Sequence, residues 1–76
     1  MTDCKEELDV RNERCPIPVK KTKKLLKNMS AGEVLHVMAT DPASEQDIEI
    51  LLVAMNDRLI ESRCDNGVFH YFIERN

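Results

Sequence analysis

The spacing of apolar positions divides the chain into six segments with different periods. Leu8 and Val10 alternate with polar neighbours, which predicts a short strand over Glu7 to Arg11. Val19, Thr22, Leu25, Leu26 and Met29 then recur at helical intervals and share one face, about 120 degrees wide on a helical wheel. This spacing predicts a helix over 18–29 that ends before Gly32, with Lys20, Lys21, Lys23, Lys24 and Lys27 on the opposite side. Within Glu33 to Thr40, the near-continuous apolar run Val34, Leu35, Val37 and Met38 has the composition of a central, parallel strand. His36 interrupts that run, and a histidine in such a place is more readily a satisfied core or face residue than a catalytic one.

Asp41-Pro42 then offers an N-cap followed by a proline at the first helical position, opening a second helix that continues to about Asp57. Its core face is Ile48, Leu51, Leu52 and Met55. Ile50 and Val53 project to the other side, as scattered surface hydrophobes or as a partner or dimer patch. Leu59 to Cys64 and Val68 to Glu74 alternate with a strand period around Asp65-Asn66-Gly67, a strong hairpin signal. The order β-α-β-α-β-β implies a right-handed crossover with parallel pairing first and an antiparallel hairpin last. The fold class is therefore α+β: a two-layer α/β sandwich with a mixed four-stranded sheet and two helices on one face.

With 76 residues the chain makes one domain, spanning 1–76 with residues 1–6 as a mobile tail, and its single core is small. Three cysteines cannot all pair within the chain, and no apolar leader opens it, so a reducing cytoplasm is expected rather than a secreted disulfide scaffold. The longest apolar run, Ile50 to Met55, is too short to cross a bilayer, so no membrane is expected as a partner. His36 and His70 stand at non-ligand spacings, and no metal is expected. The net charge of −3 conceals a segregation. Residues 11–28 hold Arg11, Arg14 and the five lysines against Glu13 alone, for +6, and the remainder carries −9.

Charge and helix geometry together single out Cys15, in Arg14-Cys15-Pro16-Ile17-Pro18. Proline is tolerated in the first turn of a helix, so Pro16 and Pro18 mark a helix entry and set Cys15 at or just before it. Unpaired N–H groups and the positive end of the macrodipole favour an anion there, as do Arg14 and the lysines beyond. The thiolate is the nucleophilic form of cysteine, and thiols so placed titrate at roughly 3.5 to 7.5 against about 8.5 for a free thiol. An acidic, reactive Cys15 is the expectation. Cys4, in an acidic tail, and Cys64, at a strand end, have no such surroundings. In a strand-helix-strand unit the loops after both strands share one sheet edge, which would bring Asp41-Pro42 near Cys15.

Leu8-Asp9-Val10-Arg11, the CPxP element at Cys15 to Pro18, Leu25 with Met29-Ser30-Ala31-Gly32-Glu33, Asp41-Pro42-Ala43 with Asp47-Ile48, and the Gly67 hairpin together resemble the TusA/SirA-like family over residues 8–75. The resemblance implies a sandwich like the C-terminal domain of translation initiation factor three. It also implies a sulfur carrier or sulfurtransferase that accepts sulfane sulfur as a transient persulfide on Cys15, with no other cofactor. The implied partners are a cysteine desulfurase or rhodanese-like donor and a downstream acceptor protein. Acceptors in such relays serve tRNA thiolation, molybdenum-cofactor assembly, sulfur oxidation or selenium handling. Pro16 and Pro18 would shape the cysteine loop, and Arg14, Lys20, Lys23 and Asp41 fall where partner docking is expected. Three departures stand out: Asn12 where many members have glycine, Ile17 where several have an acid, and Lys20 and Lys21 where apolar residues are frequent.

Two other classes compete with this reading. A thiol redox or regulatory module would pair Cys15 with Cys4 or Cys64, but no CxxC spacing is present. A nucleic-acid-binding domain would use Lys20 to Lys27, against which stand the acidic total charge and the absence of aromatic residues among the lysines.

Overall fold

The computed structural model describes residues 6–14 and 17–76. The elements are β1 (Glu6–Val10), α1 (Ile17–Lys27), β2 (Val34–Ala39), α2 (Ser44–Met55), β3 (Arg58–Asp65) and β4 (Val68–Glu74). The predicted α+β order, mixed four-stranded sheet and helix layer are all present. Strand order in the sheet is β1-β2-β4-β3, with β1 parallel to β2 and the other neighbours antiparallel.

Alternation of side chains sorts each strand between two faces. Val10, Leu35, Val37, Ala39, Tyr71 and Ile73 are buried on the face covered by the helices, against Leu26 and Met29 from the first helical segment and Ile48 and Leu52 of α2. Inside this core the Ser44 and Tyr71 hydroxyls form a hydrogen bond of 2.7 Å, which satisfies both polar groups where water does not reach. The opposite face carries Glu7, His36, Phe72 and Glu61 in one cross-strand row, and Asp9, Met38, His70 and Arg63 in the next. His36 therefore lies on a sheet face, stacked on Phe72 with ring centroids 4.4 Å apart and hydrogen-bonded to His70 at 2.9 Å.

Element boundaries differ from the pattern at definable points. α2 begins at Ser44, so Asp41 is not its N-cap: the N-cap position belongs to Ala43, with no side-chain cap. The Asp41 Oδ1 instead accepts the Ala43 N–H at 3.0 Å, and its carbonyl accepts the Ser44 N–H at 2.9 Å. Asp-Pro closes a turn of its own one step before the helix, by the same side-chain acceptor chemistry that makes aspartate a good cap. α1 stops at Lys27, with Asn28 and Met29 continuing through tighter bonds to Leu25 and Leu26. α2 ends on Asn56 at φ 58°, an asparagine taking the left-handed role usual for glycine. Asn66 and Gly67, both at positive φ, make the two-residue hairpin turn. Between Leu59 and Glu61 the register slips by a bulge at Ile60, a feature that the alternation does not announce.

Candidate functional site

β1 and β2 are parallel and adjacent, so the loops leaving their carboxyl ends emerge side by side and each leads into a helix. They line a shared cleft of about 560 Å³, formed by Asn12, Glu13 and Arg14 from the first loop and Thr40, Asp41, Pro42 and Ala43 from the second. Asn12 adopts φ 67°, a left-handed conformation that asparagine tolerates better than most side chains and that glycine adopts freely. The Asn12 N–H donates to Thr40 Oγ1 at 2.8 Å and so ties the two loops together.

Cys15 and Pro16 lie outside the described residues, as does Cys4. Their flanks are defined: the Ile17 N–H donates to the Arg14 carbonyl at 2.9 Å, and α1 starts at Ile17. Pro18 is buried in the first turn, where its carbonyl accepts the Thr22 hydroxyl at 2.7 Å. Of the predicted docking residues, Arg14 and Asp41 meet in the cleft. Lys20 and Lys23 do not join them. They are exposed on α1 and line a separate groove between the helices with Val19, Asp47, Ile50, Leu51 and Ala54.

Ion pairing redistributes the basic stretch. Arg11 holds Asp9 through two side-chain hydrogen bonds of 2.9 and 2.8 Å, which chiefly account for an Asp9 carboxyl lowered to about 2. Lys21 pairs with Glu13, tying the first loop to α1 across the segment 15–16. Arg14, Lys20, Lys23, Lys24 and Lys27 then remain without an ion pair among the described residues. Sequence reasoning missed Thr40 and the Glu13–Lys21 pair. The only available signal for the pair was that Glu13 is the single acid in a basic stretch.

Cys64 is exposed on β3, the edge strand farthest from β1. It stands in the cross-strand row Val10, Ala39, Phe69, Cys64. Three strand spacings, about 14 Å, therefore separate it from the end of β1. No group of three or more histidine, cysteine or acidic residues suited to a metal occurs among the described residues. No helix among them is long and apolar enough to cross a membrane.

Comparison with known proteins extends the resemblance to the whole fold. The family described as "Sulfurtransferase TusA" matches residues 6–75. The chain is 41% identical over 75 residues to the sulfur carrier protein TusA of Allochromatium vinosum, covering 99% of each. It is 32% identical over 68 residues to the putative sulfur carrier protein YrkF of Bacillus subtilis, covering 90% of this chain and 37% of that one. The crystal structure of a SirA-like protein from Desulfitobacterium hafniense superposes with a TM-score of 0.81 at 31% identity, covering 91% of this chain and 95% of the other. With two strand-to-helix loops meeting at one sheet edge and a family match running from Glu6 to Arg75, the chain belongs to the TusA family of sulfur carriers.

Proposed function

We propose that this protein carries sulfane sulfur as a persulfide on Cys15 between a donor enzyme and an acceptor protein in the cytoplasm. The supporting observation is the position of Arg14 and Ile17, the residues on either side of the segment 15–16, at the amino end of α1. Helix amino ends offer unpaired N–H groups and positive potential, and α1 has no acid in its first turn to cancel them. Asp41, across the cleft, partly offsets that potential.

In the first step the Cys15 thiolate attacks the terminal sulfur of a donor persulfide; the donor S–S bond breaks and the donor cysteine leaves as its thiolate. In the second, an acceptor thiolate attacks the terminal sulfur on Cys15, and the Cys15 thiolate leaves. Neither step consumes an oxidant or reductant. A low thiol pKa favours departure of Cys15 at the hand-over. Pro16 and Pro18 shape the loop, while Arg14, Lys20, Lys23 and Asp41 dock the partners, a cysteine desulfurase or rhodanese-like donor and a sulfur-accepting protein. The basic residues steer an acidic partner surface, so the on-rate falls with salt.

The test is intact-mass measurement after incubation with a cysteine desulfurase and cysteine, or with a rhodanese-type donor. Wild type is expected to gain one sulfur, retained in Cys4→Ala and Cys64→Ala and lost in Cys15→Ala. Equal labelling of the other cysteines, or none from any donor, would overturn the proposal.

A further inference from the structure

The helix layer carries opposite charges on its two ridges. α1 holds five lysines and no acid, whereas α2 holds Glu45, Asp47 and Glu49 and no basic residue. Most of this charge is not neutralised within the chain: Lys20, Lys23, Lys24, Lys27, Glu45 and Glu49 form no ion pair among the described residues. Between the ridges runs the interhelical groove, about 450 Å³, with Val19, Leu51 and Ala54 in its lining. On α2, Ile50 lines this groove and Val53 stands beside it, 62% and 83% exposed, the most exposed large hydrophobic residues described.

We propose that this layer is the contact surface of a homodimer, two copies packing helices to helices about a twofold axis that runs along the groove. Both helices start at the same sheet edge and run side by side. A half-turn about an axis along them sets the α1 of each copy on the α2 of the other, basic ridge on acidic ridge. A half-turn about an axis across them would set α1 on α1, lysine against lysine, which electrostatics rejects. In the favoured arrangement Ile50 and Val53 lie on the aliphatic stems of the facing lysines, while the ammonium heads reach Glu45 and Glu49. A uniformly acidic foreign surface would gain from α1 but be repelled by α2; a second copy complements both. Such a contact is isologous and closes on itself. It covers Lys20 and Lys23, so on the sulfur-carrier reading above, self-association and partner docking exclude one another.

Sedimentation of the full, reduced chain from micromolar to millimolar concentration tests this. The weight-average mass is expected to rise from monomer toward dimer and to stay at monomer in Ile50→Glu. The double variants Lys20→Glu/Lys23→Glu and Glu45→Lys/Glu49→Lys should each weaken the dimer by about tenfold or more, the equivalent of 1.4 kcal/mol. Combining all four changes in one chain should restore it. A monomer throughout, or a dimer indifferent to these substitutions in variants whose circular dichroism is unchanged, overturns the proposal. Sulfur loading of Cys15 in the same samples separates the two claims: loading with no dimer overturns only the interface, and a dimer with no loading overturns only the carrier.

Discussion

The two faces of the one sheet are built from the same four strands yet held by different physics. On the covered face, Leu35, Val37, Tyr71 and Ile73 are wholly buried, and their contribution comes from apolar area removed from water. On the open face, no helix covers His36, Phe72, His70 and Arg63, which are organised by contacts along the sheet: stacked rings, an imidazole pair, and Arg63 lying 5.7 Å over the Phe72 ring. Burial on one side and cross-strand pairing on the other make one face tolerant of chemistry and the other intolerant of it. The candidate site belongs to neither face. It sits at the rim, where β1 and β2 run out and polar backbone groups become available.

Substitutions that treat the faces alike should show how differently they respond. Leu35→Ala, which empties a fully buried site, is expected to lower unfolding free energy by about 2 to 5 kcal/mol in urea titration. Phe72→Ala, one position across on the open face, should cost about 1 to 2 kcal/mol. Comparable losses for the two would erase the distinction. Tyr71→Phe leaves the buried Ser44 hydroxyl without its partner and should cost about 1 to 3 kcal/mol, a loss that Ser44→Ala in the same chain should partly relieve.

Acid should act through the open face. Burial, then the neighbouring His70, pushes the His36 imidazole below its ordinary value of 6.5, so the unfolded chain takes up that proton first. The stability contributed by neutral His36 is then present above about 6.5 and lost as pH falls through that value toward the folded one. The unfolding midpoint should drop across this window in the wild type and less steeply in His36→Gln; parallel curves would remove His36 as the cause. The smallest effect is expected at Asp9 and Arg11, a pair on the solvent-exposed surface. Arg11→Ala should return the Asp9 carboxyl from about 2 to the ordinary carboxylate range by NMR titration, with no resolvable change in unfolding midpoint.

Much of this was legible in the sequence because the local signals agreed with the global fold. The lysine face of α1, the core faces of both helices and the Asn66-Gly67 hairpin all follow from spacing and turn chemistry. The apolar run Val34 to Met38 did mark a central strand, although Met38 and His36 reach a face that no helix covers. What misled was chemistry shared by two structures: Asp41-Pro42 signals a turn as well as a helix start, and only the placement of Ser44 beneath Tyr71 decides between them. The Ile60 bulge and the Asn12–Thr40 tie depend on register between distant segments, which no local window contains. At the site, the proximity of Arg14 and Asp41 was readable from topology, and the separation of Lys20 and Lys23 onto their own groove was not.

The strand order has a kinetic consequence. β2 and β4 are hydrogen-bonded on both sides, but β1 is held on one side only, through five register pairs with β2. Peeling β1 away leaves the antiparallel β2-β4-β3 pairing whole, so its amides should exchange with solvent through a local opening while those of β4 wait for global unfolding. The stretch of chain leading to the thiol thus belongs to an edge of the sheet, able to yield to a partner without the domain coming apart.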